Sequence, residues 1–471
     1  MSYSQKIHVD FNRTLCGDFL GMNAVYHGNT YMPEYAMRGY TEADRAVEYA
    51  RLHEARLRIA RTMFTPMLNC RSLDGPIDMH CQRMEAIRRW CQDMKEQGIE
   101  VALQAGWHFS TNTYWGHEGP DPKTDPDRFA DWAAASFSYL MDECGLDNIK
   151  YVFLFTEPTS YQSGLLPEGY DLWSYYVPMV RAIDRKFREA GLRDRLKFVG
   201  PNNTSGGVHL AEAVRDLNDV IDIYSGHDYN YAHQGQWANM AQKMAEIVAP
   251  TGKPFWMDEY GMQLEVFRSA PQYGTYIAGI IAASMAAGHQ TTLIWTLLDQ
   301  VHTDNSYPME IPDGVTDLVP HYNNRDSFHD GSHRWGLASF PCDGFEGAGG
   351  LYPAWYAYCL LSKAVGGTMD GGKVRSVYTD HMTDALTLYS MAVQQGEDRT
   401  FVAVNSDAAP AEFTVDGLPD GVYFRHTFAP FANRPGYGTL DTPVRVRCEN
   451  GMIHDTLPAG GVVAYSTRVA L

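Results

Sequence analysis

The sequence predicts an α/β fold, a (β/α)8 barrel, followed by an all-β sandwich domain. Between residues 15 and 300, short apolar runs rich in β-branched residues alternate with longer amphipathic runs, which is typical of a parallel sheet surrounded by helices. Eight such units are present, and this number favours a closed barrel over an open sheet. From about residue 370, polar and apolar residues alternate between Gly, Asp and Pro turns, which indicates a β-sandwich.

Each strand candidate is followed by a stretch with helical features, such as 41–54, 80–98 and 171–191. No GxGxxG or GxxxxGK[ST] motif follows the early strands, which argues against a nucleotide-binding fold. The predicted barrel strands are 18–28, 55–62, 99–107, 149–157, 196–203, 222–229, 253–261 and 291–299.

We predict two domains, a barrel over residues 12–367 and a sandwich over residues 368–471. The segment 300–350 between the last barrel strand and an aromatic helix is irregular and dense in Asp, His, Asn, Gly and Pro. The N-terminal KIHVDF run alternates like the sandwich strands. We therefore expect residues 5–11 to join the sandwich as an additional strand and to tie the two ends of the chain together.

The chain is acidic: 38 Lys and Arg against 57 Asp and Glu give a net charge of −19. Such a surface repels phosphate backbones and anionic lipid headgroups, so neither nucleic acid nor a membrane is an expected partner. We find no run of about 18 apolar residues and no secretory signal pattern, which predicts a cytoplasmic protein. The spacing of the eight cysteines matches no metal-site pattern, so we expect them to be free thiols. The sequence is compatible with a homo-oligomer as well as with a monomer.

Two glutamates end apolar strands. Glu157 follows YVFLFT on the fourth predicted strand, and Glu259 follows PFWMD on the seventh. Catalytic groups of a (β/α)8 barrel lie at the carboxyl ends of its strands. Retaining glycosidases need two carboxyl groups about 5–5.5 Å apart, one as acid and one as nucleophile. A single strand-end glutamate is more often structural, but two at these strands favour catalysis.

Together, the two motifs resemble clan A of the glycoside hydrolases, in which a strand-four Asn-Glu-Pro carries the acid/base and a strand-seven Glu is the nucleophile. The resemblance covers the barrel, about residues 15–365, and is specific for the clan rather than for one family. It implies that Glu157 is the acid/base and Glu259 the nucleophile of a double displacement that retains the anomeric configuration and needs no cofactor.

Other residues resemble supports of that site. His227-Asp228-Tyr229 resembles the His-x-Tyr of the clan, whose Tyr hydrogen-bonds the nucleophile. Arg58 resembles the arginine that keeps the nucleophile ionised, with Arg61 as the alternative. Trp295 on the eighth strand is similar to the Trp beneath the −1 sugar. Further candidates for sugar contacts, at the ends of other strands, are Trp107, His108 and Asn202.

The irregular segment contains several His and Asp residues between 300 and 335. We nevertheless predict no metal site in this segment. We interpret the segment as a lid that hydrogen-bonds sugar hydroxyls.

The chain departs from the clan at Thr156, where the usual Asn reaches the 2-hydroxyl of the −1 sugar. Thr lacks the paired donor and acceptor of an amide, so this contact must be lost, made through water, or supplied by Asn202, Asn203 or the 300–335 segment. A long lid favours a pocket closed at one end. We therefore predict an exo-acting enzyme on short oligosaccharides or β-glycosides, tolerant of changes at carbon two. A transglycosidase and a non-catalytic carbohydrate-binding barrel are the alternatives.

Overall fold

The computed structural model describes most of the barrel and the sandwich. The described residues are 5–26, 31, 40–70, 75–106, 125–158, 171–204, 207–229, 237–261, 272–301, 332–333, 336–339, 350–365, 372–380, 387–430 and 443–468.

Eight parallel strands close into a barrel, which confirms the predicted fold class. Each predicted strand overlaps one observed strand. The last strand closes the barrel by pairing with the first, where Ile294 lies beside Ala24. The barrel strands are β2 (Met22–Val25), β3 (Ile59–Phe64), β4 (Glu100–Ala105), β5 (Ile149–Leu154), β6 (Lys197–Asn203), β7 (Ile223–Asp228), β8 (Phe255–Tyr260) and β9 (Thr291–Trp295).

Helices pack around these strands, and three of them begin with a side-chain cap. Thr41 accepts from the backbone of Asp44, which reciprocates to form a capping box, and the Asp125 and Asp171 side chains cap two further helices. No helix in the described ranges is long and apolar enough to cross a membrane. The helices are α1 (Glu42–Glu54), α2 (Gln82–Glu96), α3 (Pro126–Ser138), α4 (Leu172–Glu189), α5 (Leu210–Asp216), α6 (Trp237–Val248), α7 (Gln272–Ala286) and α8 (Pro353–Val365).

The interior of the barrel is apolar towards the amino ends of its strands. Trp256 is the largest side chain there, and its ring centroid lies 4.8 Å from that of Tyr151. The guanidinium of Arg61 lies 4.4 Å above the centroid of the Phe153 ring, so polar groups begin directly above this layer. We call the layer the apolar floor; it consists of Leu20, Ile59, Ala102, Tyr151, Phe153, Val199, Ile223, Trp256 and Leu293.

The remaining strands build the sandwich, except for a small antiparallel pair, β10 (Gln300–Val301) and β11 (Ser332–His333). The sandwich strands are β1 (Gln5–Phe19), β12 (Val374–Thr379), β13 (Leu388–Gln395), β14 (Asp398–Asn405), β15 (Ala411–Asp416), β16 (Gly421–Phe428), β17 (Val444–Cys448), β18 (Met452–Leu457) and β19 (Val462–Ser466). They follow one another in the order β17-β16-β19-β14-β13-β12-β1-β15-β18.

The N-terminal strand β1 links the two layers of the sandwich. Its first part pairs in parallel with β15, and its later part pairs antiparallel with β12 after several register shifts. The strand continues to Phe19, well past the predicted residue 11, and the first barrel strand begins only at Met22. Both ends of the chain therefore meet in one sheet.

The barrel and the sandwich are packed directly together through α7 and α8. Thr275 Oγ1 on α7 donates to Gly460 O at 2.5 Å, and Thr400 Oγ1 on β14 donates to Ala364 O at 3.0 Å. A side chain at Gly274 would collide with the ring of Phe428. These close contacts fix the sandwich against the outer helices.

Candidate active site

Glu157 and Glu259 meet at the carboxyl-terminal rim of the barrel. Glu157 follows β5, and Glu259 is the penultimate residue of β8. One carboxyl oxygen of each glutamate and one ring nitrogen of His227 all lie within 4.8 Å of one another. Retaining glycosidases hold their carboxyl groups about 5–5.5 Å apart, whereas inverting enzymes leave about 6.5–9.5 Å for a water molecule. The two carboxyl groups of this site therefore approach more closely than an inverting site requires.

The backbone turns sharply where Glu157 leaves its strand. Phe155 (φ 68°), Glu157 (φ 42°) and Asn202 (φ 57°) all occupy the left-handed region. The Glu157 amide donates to the Asn202 carbonyl oxygen at 2.8 Å, which ties the ends of β5 and β6 together. Non-glycine residues seldom adopt positive φ, and such strain concentrates at functional sites.

Glu259 is nearly buried and has three charged or hydroxyl partners. The Tyr229 hydroxyl donates to Glu259 Oε1 at 2.6 Å, and Arg61 Nη1 lies 3.3 Å from Glu259 Oε2. His227 Nε2 is 3.5 Å from the same oxygen. Burial raises the pKa of Glu259, and the charge of Glu157 adds to the rise, while His227, Arg61 and Tyr229 act in the opposite direction. These three partners therefore favour the ionised form of Glu259 against the effect of burial.

The structure corrects the choice between the two arginines. Arg58 precedes β3 and pairs with Glu100 (3.6 Å) at the amino end of the barrel, where it is about a third exposed. Arg61, the alternative, is fully buried beneath Glu259. The strand begins at Ile59, later than predicted, which leaves Arg58 below the barrel and carries Arg61 to its centre.

His227 lies between the two glutamates and is completely buried. Its Nδ1 lies 2.8 Å from Glu157 Oε1, and its Nε2 lies 3.1 Å from Asn202 Oδ1. Burial by itself lowers the pKa of an imidazole, but the carboxylates of Glu259, Glu157 and Asp258 outweigh it and raise the pKa of His227 to about 9. The surrounding carboxylates thus favour the protonated imidazole.

Beneath the glutamates lies a buried set of hydrogen-bonded side chains, which we call the polar network. It consists of Arg61, Gln104, Thr156, Asn202, His227 and Asp258. Arg61 donates to Gln104 Oε1 at 2.6 Å, to Thr156 Oγ1 at 3.3 Å and to the carbonyl oxygen of Asp258 at 2.9 Å. Asn202 Nδ2 donates to Asp258 Oδ2.

Asp258 and Gln104 are parts of the site that the sequence analysis missed. Side chains of a regular strand alternate between its two sides, so the neighbour of Glu259 is expected to point away from it. Instead, β8 carries an extra residue relative to both neighbouring strands, with register shifts between Met257 and Glu259 on one side and between Met257 and Tyr260 on the other. This bulge brings Asp258 to the polar network as well.

The predicted sugar contacts have different outcomes. Trp295 ends β9 and Thr156 lies two residues beyond β5, both at the predicted rim, and both are almost fully buried. Asn202 is fully buried and uses its amide within the polar network, and Asn203 Nδ2 donates to the carbonyl oxygen of Val208. Both amides are thus engaged by protein groups. Trp107, His108 and residues 302–331 of the predicted lid lie outside the described residues.

Glu157, His227 and Glu259 together are close enough to hold a cation. However, both ring nitrogens of His227 are already engaged by Glu157 and Asn202, and a metal ligand must offer an unprotonated nitrogen. The raised pKa of His227 keeps that nitrogen protonated. The donor set thus fits acid–base chemistry better than metal binding.

Solved structures of similar fold include several that are named as glycoside hydrolases. A family 30 endoxylanase from Clostridium papyrosolvens matches with a TM-score of 0.62 and 13% identity, over 98% of this chain and 99% of that one. SrfJ from Salmonella typhimurium matches with a TM-score of 0.65 and 12% identity, over 99% and 93% of the two chains. A glucosidase from Croceicoccus marinus matches with a TM-score of 0.59 and 11% identity, over 99% and 100%.

No known family profile and no curated protein matches the sequence. At these identities the likeness defines the fold, and it extends over the barrel and the sandwich together. The chain thus has the fold of clan A glycoside hydrolases, with its family unassigned.

Proposed function

We propose that this protein is a retaining glycoside hydrolase with Glu157 as acid/base and Glu259 as nucleophile. The observation that carries the proposal is the close approach of their carboxyl oxygens, within 4.8 Å, at the catalytic rim of the barrel. The fold likeness supports it, because the comparison structures include an endoxylanase and a glucosidase.

In the first step, Glu259 attacks the anomeric carbon while Glu157 gives its proton to the departing oxygen. The C–O bond of the aglycone breaks as the glycosyl ester to Glu259 forms. In the second step, Glu157 takes a proton from water, which attacks the same carbon and releases Glu259. Two inversions at one carbon retain its configuration.

The surroundings of Glu259 suit both its charged and its esterified state. The Arg61 guanidinium and the Tyr229 hydroxyl stabilise the carboxylate before attack. Burial raises the pKa of Glu259, which means that the charged form is disfavoured by desolvation. Forming the ester removes that charge, so the buried position favours the covalent intermediate.

The substrate proposal follows from position 156. Thr156 Oγ1 accepts from Arg61, and Asn202 is occupied inside the polar network, so among the described residues neither supplies the amide that would bind a 2-hydroxyl. A site without that amide accommodates changes at carbon two. We propose exo action on short oligosaccharides or β-glycosides. Endo cleavage is the competing mode, and the name of the endoxylanase indicates that mode for that protein. The cytoplasmic location stays a prediction.

A substrate screen tests the proposal. Nitrophenyl α- and β-glycosides are assayed alongside xylo- and gluco-oligosaccharides and their polymers, with product sizes and the anomer of the first product recorded. We expect terminal release of a sugar with retained configuration. Mid-chain products from a polymer would replace exo by endo action, transfer to added sugar acceptors would indicate a transglycosidase, and binding without turnover would indicate a non-catalytic barrel.

A further inference from the structure

Asp258 is a third carboxylate of the site, and the double displacement does not use it. The residue is completely buried, so it cannot touch a sugar. It is the extra residue of the β8 bulge, and its Oδ1 lies 3.8 Å from His227 Nε2. Burying a carboxylate is costly unless it is paired, so the fold by itself does not account for one at this point.

The contacts of Asp258 fix the orientation of the Asn202 amide. A carboxylate only accepts hydrogen bonds and a guanidinium only donates them. Asn202 Nδ2 must therefore face Asp258, and Asn202 Oδ1 must face Arg61 Nη2, which lies 3.5 Å away. The same Oδ1 lies 3.1 Å from His227 Nε2. His227 Nε2 consequently carries a hydrogen.

With Nε2 protonated, the remaining proton of His227 lies in the hydrogen bond to Glu157. The Nδ1 and Oε1 atoms are 2.8 Å apart, so this proton can be bound by either group. When His227 holds it, the imidazolium donates to Glu157 Oε1, and the second oxygen of Glu157 can carry the proton that the leaving group receives.

The charges around this hydrogen bond favour that doubly protonated state. Within the described residues, the ionisable groups with contacts to the pair or to its polar network are Arg61 from β3, Asp258 and Glu259 from β8, and the Tyr229 hydroxyl after β7. Arg61 supplies one positive charge, and ionised Asp258 and Glu259 supply two negative ones. Neutrality of the buried cluster then requires a charged His227 together with a neutral Glu157. Without the negative charge of Asp258, the cluster would be neutral with one proton fewer shared between His227 and Glu157.

We propose that Asp258 is a positioning residue that, through Asn202 and its own charge, keeps His227 as an imidazolium and Glu157 protonated as the acid. This inference rests on the proposed function for the catalytic role of Glu157, but not for the state of His227. A negative charge close to an acid disfavours proton loss, so removing the Asp258 charge lowers the pH at which the pair loses its proton.

The test is Asp258→Asn, because the new amide oxygen can still accept from Asn202 and only the charge is removed. We expect the alkaline limb of the pH profile of kcat/KM to move down by about one pH unit or more. Asp299→Asn is the matched control. Asp299 is also a buried aspartate of the barrel, but it accepts hydrogen bonds from the Gly336 amide and the Tyr352 hydroxyl. The alkaline limb of the pH profile of Asp299→Asn should therefore not move. An unchanged limb in folded Asp258→Asn would overturn the proposal.

A second readout needs no turnover. Nitrogen NMR of labelled histidines, with the His227 signal assigned by its loss in His227→Gln, reports the protonation of the imidazole. We expect an imidazolium at about pH 7 in the unmodified protein and a lower titration midpoint in Asp258→Asn. A neutral His227 at that pH would contradict the inference even if the variant failed to fold. Absence of all glycosidase activity with the NMR shift intact would instead reject the proposed function alone.

Discussion

The apolar floor and the polar network occupy the same barrel, one above the other, and are equally buried, yet they are held by different forces. The floor is stabilised by packing and by removal of apolar surface from water. The network holds opposite charges away from water, which is a poor source of stability because desolvation offsets their attraction. We infer that the floor supports the fold and that the network is retained for chemistry.

Strand β8 contributes residues to both the apolar floor and the active site. Trp256 belongs to the floor, whereas Asp258 and Glu259 belong to the site. Substitutions on this one strand should therefore separate stability from activity, and the predictions below test that separation.

The largest effect is expected for Glu259→Ala. Loss of the nucleophile should lower kcat/KM by about 10⁴-fold or more on every substrate, because no ester can form. Steady-state kinetics measures the loss, and thermal unfolding should show a folded protein. Azide rescue that gives an inverted glycosyl azide would agree with this role.

The next effect is expected for Glu157→Ala. General acid catalysis contributes roughly 10²–10⁴-fold, so cleavage of substrates with poor leaving groups should fall by that amount, while good leaving groups are still cleaved slowly. Azide should restore turnover and give a β-glycosyl azide from a β-glycoside. An inverted glycosyl azide from this variant, together with a retained glycosyl azide from Glu259→Ala, would mean that the two roles are exchanged.

Arg61→Met with Arg58→Met as its control tests the corrected arginine. Removing the Arg61 charge raises the pKa of Glu259 further, so its ionised form is lost already at higher pH and the acidic limb of kcat/KM should move up. We expect activity at the optimum to fall by about 10²-fold. Arg58→Met should leave the profile in place, since Arg58 pairs with Glu100 at the other end of the barrel. Equal profiles for the two variants would contradict the assignment.

The smallest effect on chemistry is expected for Trp256→Ala. This side chain is fully buried in the floor and donates to Gln290 Oε1 at 2.8 Å. Its removal should lower the free energy of unfolding by about 3–5 kcal/mol, measured by urea denaturation. Turnover per folded molecule, assayed below the unfolding transition, should change little; a loss as large as that of Arg61→Met would remove the distinction between floor and network.

The contrast between the two regions also explains what the sequence predicts well. Runs such as IKYVFLF predict a buried strand wherever it lies in the fold, so each of the eight barrel strands was found in its place. A glutamate at the end of such a run is visible in the sequence, because the rim of a barrel is defined by strand ends. The roles of Glu157 and Glu259 stay predictions until they are measured.

The network is harder to predict because it depends on register. A shift of the start of β3 to Ile59 is enough to exchange Arg58 for Arg61. Asp258 reaches the site only because of a bulge in β8, and the residue types in FWMDEY do not predict that bulge. The hydrogen bond from Asn202 to Asp258 was not anticipated, because Asp258 was not recognised as part of the site, and the predicted sugar contact of Asn202 stays a prediction.

Identification of a covalently labelled residue tests the central claim most directly. A 2-deoxy-2-fluoro glycoside of the sugar found in the screen is incubated with the protein, and the labelled peptide is sequenced by mass spectrometry. The account predicts one glycosyl group, attached to Glu259, with slower release in Glu157→Ala. A label on another residue, or inverted product with no label at all, would contradict it.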